Sequence, residues 1–314
     1  QFLDSQFIKI DQDNKSINIE IELNFVAKKR LDELQQLIEK KISSSQGLLT
    51  KVFLTSKIKS HKVQQGLSPL KGVKNIVAIA SGKGGVGKST TAVNLALALA
   101  KVGAKVGILD ADIYGPSQPQ MLGINNKKPQ SSDGKSMDPI IAHGIEVMSI
   151  GFLVDQETPM IWRGPMVTGA LEQLLKETKW NNLDYLIVDL PPGTGDIQLT
   201  LAQKIPVTGA VIVTTPQDIA LLDARKGLKM FEKVNVPIIG IVENMATHIC
   251  SQCGHEEYIF GEGGGFKMAK DYEVELLGSL PLDINIRKQL DAGNPSVVSD
   301  GDGKIAGIYE EIAI

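Results

Sequence analysis

A chain of 314 residues, 42% of them hydrophobic, is long enough to bury one large domain and a small one. Its 33 Lys and Arg against 36 Asp and Glu give a formal charge of -3, so no global basic field is present to recruit nucleic acid or anionic lipid. No apolar run approaches the roughly 18 residues a spanning helix needs, and the N-terminal stretch lacks a basic region ahead of an apolar one. The expectation is a cytoplasmic protein with neither a nucleic-acid nor a membrane partner.

Residues 1–60 form a small piece of their own. Ser16 to Phe25 alternates polar and apolar, with Ile17, Ile19, Ile21 and Leu23 on one face, which is strand periodicity. From Lys28 to Ile42 the apolar positions Leu31, Leu34, Leu37, Ile38 and Ile42 make a helical stripe, and Leu49 to Ile58 reads as a further strand. This βαβ-like piece is followed by a Gln-, Gly- and Pro-bearing stretch over 61–72 that reads as a linker.

From Val73 to the end, apolar runs alternate with helical patterns: 76–80, 106–109, 145–150, 185–188, 210–213, 238–242 and 276–280. Runs apolar on both faces and spaced by helices predict an α/β fold, a doubly wound, mostly parallel sheet covered on both sides. In such a sheet ligands gather at the carboxyl ends of the strands, so residues just after each run are the candidates for chemistry.

The first run opens the most informative stretch, IVAIASGKGGVGKSTT over 76–91. Gly82, Gly87, Lys88 and Ser89 fit the phosphate-loop pattern between a buried strand and an amphipathic helix. Charged phosphate oxygens need many backbone N–H groups converging on one point, and residues without a Cβ let the chain wrap that closely. Gly82, Lys83, Gly84, Gly85, Val86, Gly87, Lys88, Ser89 and Thr90 are therefore the expected nucleotide cradle. Lys88 adds a full charge, the helix N-terminus adds its dipole, and the Ser89 hydroxyl is placed to ligate Mg2+. Lys83 is not needed to cradle a phosphate in its own loop, and it resembles the signature lysine of deviant Walker A ATPases.

The second run ends in DADIYGPS over 110–117. Two carboxylates at a strand tip beside a phosphate loop predict Asp110 in the Mg2+ shell and Asp112 orienting the attacking water; turn capping is the competing use. The fourth run ends in DLPPGTGD, where Asp189 has the place of a Walker B carboxylate and the glycines let the loop answer to a γ-phosphate. Asn244 and the pair Pro281 and Asp283 each follow a strand and are expected to meet the base of ATP, against the plainer uses of strand-end turn and helix cap. WRGPM over 162–166 precedes a helical run, where Arg163 either faces phosphate or a partner chain or merely enters the helix.

Cys250 and Cys253 are the only cysteines, too close in sequence for a stabilising disulfide framework, so metal or redox chemistry is expected. Two thiolates two residues apart can grip one metal ion or a cluster edge, and the glycines at 261 and 263–265 leave room for a bulky inorganic group or another backbone. A [4Fe-4S] cluster needs four sulfurs, so two chains would each donate a pair across a two-fold axis. The rival is Zn2+ held by Cys250, Cys253 and His248 or His255. A thioredoxin-like dithiol fits less well, since the motif opens no helix.

Taken together, KGGVGKST, DADIYGPS, WRGPM, DLPPGTGD, ENM over 243–245 and the C-x-x-C followed by FGEGGG resemble the Mrp/ApbC (Nbp35-like) iron-sulfur carrier ATPases, a MinD-like P-loop group. The resemblance spans roughly residues 70–290. It implies a homodimer with ATP at its interface, Lys83 reaching the partner's nucleotide, and a labile [4Fe-4S] cluster on Cys250 and Cys253, received from scaffold proteins and delivered to apo-proteins. Residues 1–60 resemble part of the MIP18-like (DUF59) domain that precedes such ATPases, here without cysteine. Two other classes stay open. A MinD/ParA-like positioning ATPase would bring a basic membrane tail or DNA-binding patch, whereas the terminus carries Glu310 and Glu311. A zinc-stabilised NTPase would keep the same phosphate loop.

Overall fold

The computed structural model describes residues 8–11, 16–23, 25, 31–46, 49–153, 164–250 and 252–314. Trp162 and Arg163 therefore lie outside the described residues. The chain divides into two compact units, one of residues 1–59 with 102–104 and 314, the other of 60–101 with 105–313.

In the smaller unit β1 (Ile8–Asp11) pairs antiparallel with β2 (Ser16–Leu23), α1 (Leu31–Gln46) follows, and β3 (Leu49–Ser56) pairs parallel with β2. The alternation read in β2 places Ile19 in the interior while Glu20 and Glu22 face water. Val52 is fully buried, and its N–H donates to Glu39 of α1 at 2.9 Å, tying helix to sheet.

In the larger unit the elements run β4 (Val73–Ala80), α2 (Lys88–Lys101), β5 (Val106–Asp110), α3 (Gln118–Met121), β6 (Ile140–Ala142), β7 (Ile145–Ser149), α4 (Gly164–Glu177), β8 (Leu183–Asp189), α5 (Asp196–Lys204), β9 (Gly209–Thr214), α6 (Asp218–Lys233), β10 (Ile238–Glu243), β11 (His248–Ile249), β12 (Glu256–Glu257), α7 (Gly264–Asp271), β13 (Glu275–Ser279), α8 (Ile284–Asp291), α9 (Ser296–Ser299) and α10 (Lys304–Ala313). Eight strands make one sheet in the order β13-β10-β9-β4-β8-β5-β7-β6, all parallel except the β6–β7 hairpin at one edge. That hairpin is absent from the sequence expectation. Its turn, His143-Gly144, has φ of 48° and 84°, the left-handed pair that a tight two-residue hairpin requires.

The sheet is apolar through and through because helices cover both faces. Ile108, Leu109, Ile187, Val188 and Ile212 are fully buried, as sequence runs without alternation predict. Strand β4 sits between β8 and β9, so the chain winds outward from it in both directions and the loop after β4 lies at the switch point. Register sets the height of the chemistry: Asp110 pairs with Asp189 and with Ser149, and Ile79 pairs with Asp189. Two carboxylates thus end neighbouring strands at one level.

The stretch over 61–72 is anchored on the larger unit: the buried Gln64 donates through Nε2 to the carbonyls of Ala202 at 2.8 Å and Ile205 at 3.2 Å, and His61 N–H donates to Asn75 at 3.0 Å. Among the described residues no helix is long and apolar enough to cross a membrane. Phe231 of α6 is fully buried in the main core. Truncating it to Ala should cost about 3–5 kcal/mol of unfolding free energy, the scale for removing a buried ring, read from the denaturant midpoint at unchanged slope.

Candidate functional site

The phosphate loop spans 81–87, between β4 and the start of α2. Sequence gave its glycines one reason; the structure separates them. Gly85 and Gly87 have φ of 79° and 83°, a left-handed backbone that residues with a Cβ resist. Gly82 is needed for another cause, because a Cβ there would lie 2.1 Å from the backbone of Asp223, so the loop packs directly on α6. Gly84 has neither constraint and leaves its face open. Lys83, Gly84, Gly85, Gly87, Lys88, Ser89 and Thr90 line one cleft, whereas Gly82 and the buried Val86 turn inward behind it.

Lys88 is buried, and its Nζ lies 2.5 Å from Asp189 Oδ1, 3.2 Å from Ser89 Oγ and 3.9 Å from Asp112 Oδ2. The ammonium therefore occupies a point where a cation is met by a hydroxyl and two carboxylates. Asp112 Oδ1 and Ser117 Oγ, whose residues line the same cleft, are buried and find no hydrogen-bond partner among the described residues. Oxygen-rich surroundings of this kind suit a hydrated Mg2+ once Lys88 has turned to a phosphate. Burial raises the Asp112 carboxyl above its usual value, with Lys88 opposing.

Asp110, expected in the metal shell, has several donors of its own. It is fully buried, and its carboxylate accepts the N–H groups of Asp112 at 3.2 Å, Ser117 at 3.0 Å and Gln118 at 3.1 Å, and the Ser149 hydroxyl at 3.0 Å. These bonds fasten the whole 111–118 loop to a strand tip. Burial, with the charge of Asp189 adding to it, pushes its carboxyl up to about 7. Gln118 passed unnoticed in the sequence. It is fully buried and ties the loop to both Ser89 and Asp189. Nothing in local periodicity marks it, since it only follows a Gly-Pro-Ser turn.

A second, mainly apolar cleft of about 280 Å3 continues from the first, near the low end of roughly 300–1,000 Å3 for ligand pockets. Gly87, Thr90, Ser117 and Met121 belong to both clefts. Asn244, Pro281 and Asp283 line it, with Met245, Leu282 and Ile286. Asp283 also caps α8, accepting from the Asn285 N–H at 2.7 Å. The Asn244 amide has a further use: Nδ2 donates to the Val86 carbonyl at 2.9 Å, and a Cβ on Gly87 would lie 2.0 Å from it.

Beyond Asn244 the chain runs on to the cysteines. Ala246 and Leu282 donate to the carbonyls of Leu280 and Thr247, at 2.9 and 2.7 Å, so 246–248 is laced to the cleft wall. Strands β11 and β12 then form a small hairpin with Cys250 and Cys253 at its end, closed by Cys250 N–H to His255 O and Gly254 N–H to Cys250 O, both 2.9 Å. Cys253 is exposed and Cys250 half-buried. The N–H groups of Cys253 and Gln252 face the Cys250 sulfur and lower its pKa, which favours a thiolate ready to bind metal. Among the described residues no third His, Cys, Asp or Glu joins the two thiols in a group that could hold a metal ion, and His248 Nδ1 is 3.2 Å from the Leu282 carbonyl. The glycines nearby serve packing as well as space. A Cβ on Gly264 would meet Leu221 at 2.6 Å, and Gly265 N–H donates to the buried Glu243 at 2.6 Å.

Since Asn244 supports the phosphate loop itself, Asn244→Ala should weaken ADP and GDP alike, by about 1–3 kcal/mol, as removal of a buried hydrogen bond does. Equilibrium titration with both nucleotides checks this, and a loss confined to ADP would make Asn244 a reader of the base.

Comparison with known proteins agrees with this geometry. The family model described as NUBPL iron-transfer P-loop NTPase (ParA) matches residues 72–314. The chain is 62% identical over 280 residues to the iron-sulfur cluster carrier protein of Pseudomonas fragi, covering 88% of this chain and 98% of that one. It is likewise 62% identical over 256 residues to the iron-sulfur cluster carrier protein of Escherichia coli K12, covering 82% and 69%. Among solved structures it resembles the nucleotide-binding protein of Archaeoglobus fulgidus in complex with ADP, with a TM-score of 0.66 and 39% identity over 76% of this chain and 93% of that one. A phosphate loop at the switch point, carboxylates at the adjoining strand tips and these matches have one reading: the chain belongs to the NUBPL iron-transfer P-loop NTPase family.

Proposed function

We propose that this chain is an ATP-hydrolysing carrier that holds a labile [4Fe-4S] cluster between two copies of itself and hands it to apo-proteins. The observation that carries the reading is the Cys250 and Cys253 hairpin: two accessible thiols, one of them acidified by backbone N–H groups, with no third ligand among the described residues. A site short of two sulfurs is completed most simply by a second copy. The cluster is the cargo, scaffold proteins of the cytoplasm supply it, and apo iron-sulfur proteins receive it.

In the nucleotide site Lys88 and the N–H groups of Gly84 to Ser89 take the phosphates, and the apolar cleft beside Asn244, Pro281 and Asp283 takes the base. Ser89 and Asp189 hold Mg2+, which when bound neutralises phosphate charge, while Asp110 holds the 111–118 loop in place. Asp112, with its unpartnered oxygen, orients the attacking water. Lys83 lines its own cleft at the surface and serves the nucleotide of the partner copy. Among the described residues no arginine lines the phosphate cleft, so in this reading transition-state charge falls on lysines and Mg2+, and turnover is slow.

Reconstituted protein should hold about one cluster per two chains, and Cys250→Ser or Cys253→Ser should remove it while leaving ADP affinity within about twofold. Iron, sulfide and zinc counted per chain after anaerobic purification test this; one zinc per chain without iron would replace the carrier with a zinc-stabilised NTPase. Mixing Lys83→Ala chains with Asp112→Ala chains should restore part of the ATPase activity that each lacks alone, because the heterodimer keeps one intact site. Absence of any recovery places Lys83 within its own chain.

A further inference from the structure

Gln118 is bonded to both residues expected to hold the metal, and unlike Lys88 it reaches Ser89 through the backbone carbonyl and not the hydroxyl. Its Nε2 donates to Asp189 Oδ2 at 2.8 Å and to the Ser89 carbonyl at 3.1 Å, and its own N–H donates to Asp110 Oδ2 at 3.1 Å. The start of α2, the β8 tip and the β5 tip therefore meet at one residue. The residue is fully buried, and its Oε1 finds no partner among the described residues. An amide oxygen left in that condition keeps a desolvation cost that a donor such as metal-bound water would offset.

The two oxygens of Asp189 are divided between two donors, Oδ1 to Lys88 and Oδ2 to Gln118. Lys88 is the donor that must leave when a phosphate takes its charge. Gln118 stays, since its amide is also fixed by Ser89. With Oδ2 held, the carboxylate plane is fixed and Oδ1 is left turned toward the point that the Lys88 ammonium now shares with Ser89 Oγ. Without the amide, Asp189 would be free to rotate as the lysine departs, and Ser89 and Asp189 would lose their common reference.

We propose that Gln118 is a positioning residue for the metal shell, holding Asp189 and Ser89 in the mutual arrangement that binds Mg2+ with the nucleotide. This rests on the reading of Ser89 and Asp189 as the Mg2+ holders. A merely structural Gln118 would staple the 111–118 loop and affect nucleotide affinity whether or not metal is present. A positioning Gln118 acts only through the metal.

The experiment titrates a fluorescent ADP analogue against full-length wild type, Gln118→Met, which keeps the volume, and Gln118→Asn, which keeps the amide but is too short to span both acceptors. Binding is measured in EDTA and across a Mg2+ series, with apo melting curves as the folding check. The Mg2+ concentration for half-maximal enhancement should rise about tenfold or more in both variants, the usual scale for outer-shell partners, while affinity in EDTA stays within about twofold. Unchanged Mg2+ dependence in a folded variant overturns the proposal and leaves the site reading standing, as does an equal loss with and without metal. A wild-type protein whose nucleotide binding ignores Mg2+ overturns both.

Discussion

The structure depends on an imbalance of charge at the carboxyl ends of two neighbouring central strands. Asp110, Asp112 and Asp189 are brought together by strand register and buried, and Lys88 is the cation within reach of two of them. Several buried carboxylates beside one ammonium are stable only if some are satisfied otherwise. Asp110 is satisfied by four donors and is raised to about 7, which lets it take up a proton near neutrality. Asp189 is satisfied by Lys88 and Gln118, and Asp112 keeps one oxygen without a partner among the described residues. In the function proposed above, a nucleotide that draws Lys88 away while bringing a divalent ion meets the need of such a site for an added cation. Binding thus exchanges one set of partners for another, at no cost in an unpaired buried charge.

A phosphate loop must be both open and rigid. Its rigidity comes from behind: Gly82 lies against the α6 backbone, Val86 is buried, and the Asn244 amide holds the Val86 carbonyl. Its openness is confined to Gly84 and Gly85 at the front. Loop 190–195 is fastened to the same place, since Gly193 N–H donates to the Ser81 carbonyl at 2.9 Å and Leu190 N–H to that of Ile79 at 3.1 Å. The thiols stand on an extension of this framework. Strand β10 supplies Glu243 and Asn244, and within six residues the chain reaches Cys250 after being laced to the cleft wall at Leu280 and Leu282. The cleft beside Asn244 and the two thiols are therefore neighbours on one stretch of backbone.

What was legible in the sequence was whatever depends on local pattern. Unbroken apolar runs gave seven strands of the parallel sheet, since strands covered on both faces leave no room for polar alternation. The phosphate loop, the strand-end aspartates and the cysteine pair were readable because each combines residue types that few other uses demand at that spacing. The short antiparallel β6 was not, being three residues with one face exposed. The 61–72 stretch read as a linker because its composition is loop-like, while its anchoring rests on side-chain bonds at Asn75 and on the buried Gln64, bonded to carbonyls more than a hundred residues away.

The residues themselves determined the chemistry: a Lys-Ser pair after a glycine loop, carboxylates after apolar runs, and two thiols two apart. Only tertiary structure decided how these duties are shared. Asp110 became a fastener for a loop because three backbone N–H groups and Ser149 converge on it, and Asn244 a prop for the phosphate loop because Val86 happens to lie opposite. Gln118 joined the site through partners at 89, 110 and 189. Hydrogen bonds between groups so far apart in sequence follow from the winding of a parallel sheet, in which neighbours across strands are strangers along the chain.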